Sequence, residues 1–192
     1  MYSSQSVLPV ASVALVLMTT FSLATASVTD AKQSHCDATL SARFIESAPR
    51  DRFTFVNTSK PGWSINHISI ELAESQGNLV FDTESGGLGV EVYQPYKLED
   101  SSAGVANVLL PDDGEQTIEI TFAQFPAGAN YTFSIDVDDQ LTRSALGNIR
   151  VTGGEMKGAQ VSVGFISDSG DTALQQTTFD TNNRAVIGAG CA

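Results

Sequence analysis

Apolar and polar residues alternate with period two along much of the chain beyond residue 50. Successive side chains of a strand point to opposite faces, so this spacing predicts β-structure with one face buried. The clearest run is Thr117-Ile118-Glu119-Ile120-Thr121-Phe122, with Ile118, Ile120 and Phe122 turned inward. The same alternation occurs in Arg52-Phe53-Thr54-Phe55-Val56, in Gly89-Val90-Glu91-Val92-Tyr93 and in Tyr131-Thr132-Phe133-Ser134-Ile135-Asp136-Val137-Asp138. Trp63, Ile65 and His67 fall on one face and Ile68, Ile70 and Leu72 on the other, which predicts a bulge or bend between the two groups. Residues 78–81, 148–152, 159–166, 174–179 and 184–187 complete the expected strands, while residues 41–46 fit a first strand or a short helical turn.

Turn signals separate these runs: Pro61-Gly62, Gly86-Gly87, Gly153-Gly154 and residues 111–114, 126–128 and 168–171. No segment sustains a 3.6-residue period. About ten strands in residues 27–192 predict one all-β domain, an antiparallel β-sandwich or jelly roll.

The N-terminus carries a different pattern. Residues 7–24 form an apolar stretch, and Ala24-Thr25-Ala26 supplies small residues for a cleavage site. Residues 1–26 are therefore expected to be a secretory signal peptide, although Met1 to Ser6 contain no Lys or Arg. No second long apolar segment follows, so no membrane insertion is expected after cleavage. In an oxidising compartment the two cysteines, Cys36 and Cys191, are expected to form a disulfide joining the ends of the domain. The expected location is secreted or cell-surface, with the periplasm as a further possibility.

The formal charge of -12 changes the range of partners. Few clustered cations are available for phosphate backbones or anionic lipids, which argues against nucleic acid and acidic membranes. Catalytic signals are sparse. His35 and His67 are the two histidines, and neither Gly-x-Ser-x-Gly nor His-Glu-x-x-His occurs. Nothing selects a glycosidase pair from carboxylates such as Glu46, Glu71 and Glu91. The expectation is a binding protein rather than an enzyme.

The acidic clusters are more specific. Asp136 and Asp138 share a face at the end of a strong strand, and Asp139 opens the next loop. Calcium takes six to eight oxygens, so these three are candidate calcium ligands. Asp112 and Asp113, and the Glu99-Asp100 pair, are candidates to complete the shell. The competing reading is that these aspartates cap turns and remain solvated. Gly86-Gly87-Leu88-Gly89-Val90-Glu91-Val92-Tyr93-Gln94 matches most of one calcium-binding nonapeptide, but a single copy reads as a glycine-rich hairpin. Tyr93 and Tyr96 flank Pro95 and are the candidate glycan contacts. Asn57 and Asn130 begin N-glycosylation sequons.

Residues 63–165 resemble the core domain of sponge aggregation factors and their bacterial relatives. The resemblance lies in Phe81-Asp82 before the Gly86-Gly87-Leu88-Gly89-Val90 run, in Phe125-Pro126-Ala127-Gly128, in the strand ending Asp136-Val137-Asp138-Asp139, and in Val151-Thr152-Gly153-Gly154. It implies an extracellular adhesion module that is calcium-dependent and carbohydrate-associated, with a glycan, another protein or a second copy as partner. A secreted carbohydrate-binding or carbohydrate-active β-sandwich protein is the alternative.

Overall fold

The computed structural model of the protein describes residues 36–90 and 92–188. The expected signal peptide, His35, Glu91 and Cys191 lie outside the described residues, and so does the expected Cys36–Cys191 pairing.

Among the described residues the fold is all-β, with antiparallel pairing throughout. One sheet has the order β12 (Arg184–Ile187), β1 (Leu40–Ile45), β2 (Arg52–Asn57), β8 (Asn130–Ser134), β5 (Lys97–Ser101). The other has the order β11 (Thr172–Thr178), β10 (Gln160–Ser167), β3 (Trp63–Glu71), β7 (Thr117–Gln124), β6 (Gly104–Leu109). A two-stranded ribbon joins β4 (Val80–Asp82) to β9 (Asp136–Asp138), and α1 (Gly153–Met156) is a single turn.

Both five-stranded sheets turn their apolar faces into one core. Phe53 lies at its aromatic centre, with ring centroids 5.1 Å from Phe44, 5.4 Å from Phe133, 6.1 Å from Phe179 and 6.4 Å from Phe81. Its burial links the first sheet to the ribbon.

In β3 the alternation is interrupted, but at Asn66 rather than after His67, so His67 does not share the face of Ile65. Gly164 pairs with His67 but Phe165 pairs with Ile65, so Asn66 is the extra residue of a bulge. The bulge lets Ile65 and Ile68 both reach the core.

Three expectations need correction. Residues 89–90 and 92–93 are not a strand: the Gly89 backbone lies against Asp82 and the Val90 amide is committed to Asp138. Residues 148–152 form a loop leading into α1, where Thr152 and Glu155 build a reciprocal capping box. Sequence reading also overlooked β5 and β6. They are sheet edges with few buried side chains, so they carry no clean alternation. The twelve strands among the described residues exceed the ten expected.

Candidate metal centre

The first sheet and the ribbon share one continuous stretch of chain. After β8 the backbone passes Ile135, leaves the sheet and continues as β9 against β4. In that ribbon Asp82 lies opposite Asp136, Phe81 opposite Val137, and Val80 opposite Asp138. Period-two alternation sends Phe81 and Val137 to one side, where they join the core. The same period puts Asp82, Asp136 and Asp138 together on the other side.

These three side chains are buried, with relative exposure of 1%, 0% and 0%. Each offers an oxygen within 4.8 Å of the others. Asp51, just before β2, and Asp139, just after β9, are also buried, and Asp113 is half-buried.

The hydrogen bonds around these carboxylates share a form. One oxygen of each of four groups is held by a backbone amide. Asp51 Oδ1 accepts from the Ser47 amide at 2.7 Å, and Asp113 Oδ1 from the Thr83 amide at 2.7 Å. Asp138 Oδ2 accepts from the Val90 amide at 2.6 Å, and Asp139 Oδ1 from the Leu141 amide at 3.0 Å. The second oxygen of each of these four is buried with no partner, as is Asp82 Oδ2, and neither oxygen of Asp136 has one. Buried polar atoms are otherwise nearly always bonded, so unpaired carboxylate oxygens gathered in one place call for a ligand. Among the described residues none of these six aspartates pairs with Lys, Arg or His; the ion pairs engage Asp37, Glu46, Glu99 and Glu119 instead.

The glycine-rich segment closes over this group. A Cβ on Gly87 would stand 1.3 Å from Asp113 Oδ2, and one on Gly89 would stand 2.2 Å from Asp82 Oδ2. Both glycines are therefore required for the backbone to approach the carboxylates, which explains why the chain here does not extend as a strand. Asn148 braces the other side, its Nδ2 donating to Asp139 Oδ1 at 2.9 Å.

Burial without compensating cations favours the protonated forms. Burial, then the charge of Asp138, pushes Asp136 up to about 9. Burial and the Asp138 charge likewise push Asp82 to about 7. Asp51 is raised to about 7 by burial, with the Ser47 amide opposing and the Glu46 charge assisting. Burial also raises Asp138, against the Val90 amide. Asp113 is the exception: burial pushes it up, but the Thr83 and Glu84 amides outweigh that and hold it low.

Of the sequence candidates, Asp136 and Asp138 lie in the triplet, and Asp139 follows with one oxygen anchored. Asp113 stands close enough to Asp82 for its charge to raise that carboxyl. Asp112 is exposed, and its amide donates to Glu115 Oε2 at 3.0 Å. Glu99 and Asp100 are engaged elsewhere, Glu99 with Arg50 and Lys97, Asp100 with Asn130. Sequence reading missed Asp82 and Asp51. Asp82 had a signal, since it ends a short apolar run before the glycines; Asp51 looks like any turn aspartate.

Tyr93 is exposed, whereas Tyr96 is half-buried, with its hydroxyl 2.5 Å from that of Tyr131. A cleft of about 310 Å³ is lined by Tyr96, Pro95, Glu84, Asp112 and Asp113, which brings Tyr96 to the edge of the acidic group. His67 is half-buried on β3, with Nε2 3.8 Å from Glu119. Asn57 is fully buried and donates to the Phe125 carbonyl at 2.7 Å, so its side chain is not accessible as a glycan acceptor in the folded domain.

The chain matches no family model, and a search of curated proteins gives no match.

Proposed function

We propose that this protein is an exported, non-catalytic recognition module whose binding end is shaped by calcium. The observation that carries this reading is the buried triplet Asp82, Asp136 and Asp138, with oxygens within 4.8 Å of one another and no partner for either oxygen of Asp136. Oxygen-only donors suit a hard cation rather than zinc or copper. A buried set with many carboxylate oxygens favours calcium over magnesium, which keeps several waters and demands octahedral geometry.

Calcium would neutralise the carboxylates beneath residues 83–90 and fix the backbone there. The side chains of Leu88, Val90, Val92 and Tyr93 are exposed nearby, and the Tyr96 cleft lies beside Asp113. An aromatic cleft edged by a cation site suits a neutral glycan, the partner also implied by the resemblance to aggregation factor core domains. Adhesion through that glycan, a protein partner or a second copy follows from the same resemblance. Export after removal of residues 1–26, to the exterior, cell surface or periplasm, and a Cys36–Cys191 bond belong to the same proposal.

The test is glycan-array binding by the mature chain in calcium, in magnesium and in EDTA. Calcium-dependent retention that Tyr93→Ala reduces supports the reading. Retention unaffected by EDTA removes calcium from the function, and no retention on any glycan removes the glycan.

A further inference from the structure

We propose that the acidic group holds two divalent cations rather than one, with Asp51 serving the second position and Asp136 shared between them; this rests on the calcium reading above.

The argument begins with supply. Six aspartates, at positions 51, 82, 113, 136, 138 and 139, gather around the ribbon, Asp139 through its position next to Asp138 at the end of β9. Seven of their oxygens have no partner, and four of the six side chains are oriented through the other oxygen by a backbone amide. With one divalent ion bound, the remaining carboxylates of the group must either keep their protons or stand as buried unpaired charge, which is costly. A second ion offers the unpartnered oxygens of Asp51 and Asp136 a ligand in place of a proton.

Position gives the same division. Asp113 approaches from the outer edge of β4, where the Gly114 amide donates to the Phe81 carbonyl at 2.9 Å. It faces Asp82 and Asp138. Asp51 approaches from the opposite edge, where its carbonyl accepts from the Ile135 amide at 3.0 Å. It is completely buried, its Oδ2 is unpartnered, and it lies outside the tight triplet while facing Asp136 and Asp138. Asp136 stands between these edges with both oxygens unpartnered, the arrangement a bridging carboxylate requires. The first ion would take Asp82, Asp113, Asp138 and one oxygen of Asp136, and the second Asp51 and the other oxygen of Asp136.

Native mass spectrometry and calcium titration calorimetry on the whole mature chain decide the matter. The expected result is two calcium ions per chain. Asp51→Asn, a near-isosteric change, should leave one ion bound with affinity within several-fold of the tighter wild-type site. One calcium in the wild-type protein overturns the two-ion proposal and leaves the calcium reading standing. No calcium overturns both. Two ions retained by Asp51→Asn overturn the assignment of the second position. The wild-type stoichiometry does not depend on any variant folding.

Discussion

Asp82 and Asp136 face each other directly across the β4–β9 ribbon, both buried, with Asp136 lacking a partner on either oxygen. Like charges opposite each other in an antiparallel pair destabilise it unless something lies between them. The pairing register is fixed by Phe81 and Val137 in the core, so the carboxylates cannot separate by slipping one residue. The ribbon thus couples core packing to the acidic group.

Calcium should raise stability through that group. An ion bound only by the folded chain adds RT ln(1 + [L]/Kd). At about 10 mM calcium and a Kd on the order of 10⁻⁴–10⁻³ M, the gain is roughly 1.4–2.7 kcal/mol. For a domain of this size that raises Tm by about 3–10 °C. Thermal melts in calcium and EDTA measure it. Asp136→Asn with Asp138→Asn should erase the calcium response and stabilise the calcium-free protein. An unchanged response in that double variant would sink the assignment.

The pH dependence of the calcium-free protein has a defined sign. Asp51 and Asp82 titrate at about 7 and Asp136 at about 9, with Asp138 also raised; Asp113 in this group, and Glu99, Glu155 and Asp180 outside it, are lowered and so stay ionised from pH 6 to pH 9. An unfolded aspartate titrates at about 3.9. Between these values the folded state binds more protons, so its extra stability is fully present below about pH 4 and is lost as pH rises through about 7 and then about 9. In EDTA, Tm should therefore fall from pH 6 to pH 9. Calcium, which competes with those protons, should flatten that slope and release protons on binding. A calcium-free Tm that climbs over this range contradicts the arrangement.

Much of the fold was legible because core strands alternate. Ile118, Ile120, Tyr131 and Phe133 are all buried as their spacing required. Residues 89–93 alternate too, yet they form no strand where described, because Gly87, Gly89 and the Val90 amide serve the carboxylates. Asp136 and Asp138 were legible from period two on one strand. Asp82 and Asp51 were not, since they depend on which strands pair and on where β8 leaves its sheet.

The Cys36–Cys191 bond would close nearly the whole mature chain. The chain-entropy model assigns about 5 kcal/mol to a loop of that length, and engineered bonds often deliver less. Thiol labelling of the native protein should find no free cysteine, and reduction should lower Tm without removing the calcium response. Two labelled thiols in the native, unreduced protein would exclude the bond.

Gly89→Ala separates the role of the loop from that of the aspartates. The added methyl would stand 2.2 Å from both Cγ and Oδ2 of Asp82 and 2.5 Å from its Cβ. Asp82 is held on β4 by the register with Asp136 and by the core position of Phe81 next to it, so the loop must move rather than the carboxylate. Displacing Gly89 also displaces the Val90 amide, which holds Asp138 Oδ2 at 2.6 Å. Calcium affinity should fall by at least about tenfold, equivalent to about 1.4 kcal/mol. Calcium-free stability should change less, because the loop carries few core contacts. Gly154→Ala is the matched control: its nearest neighbour would be Thr152 Oγ1 at 3.6 Å, an ordinary contact, and it lies in α1. Calorimetric titration of the two variants should show the loss in Gly89→Ala alone; equal affinities would mean that the glycine loop takes no part in holding the cation.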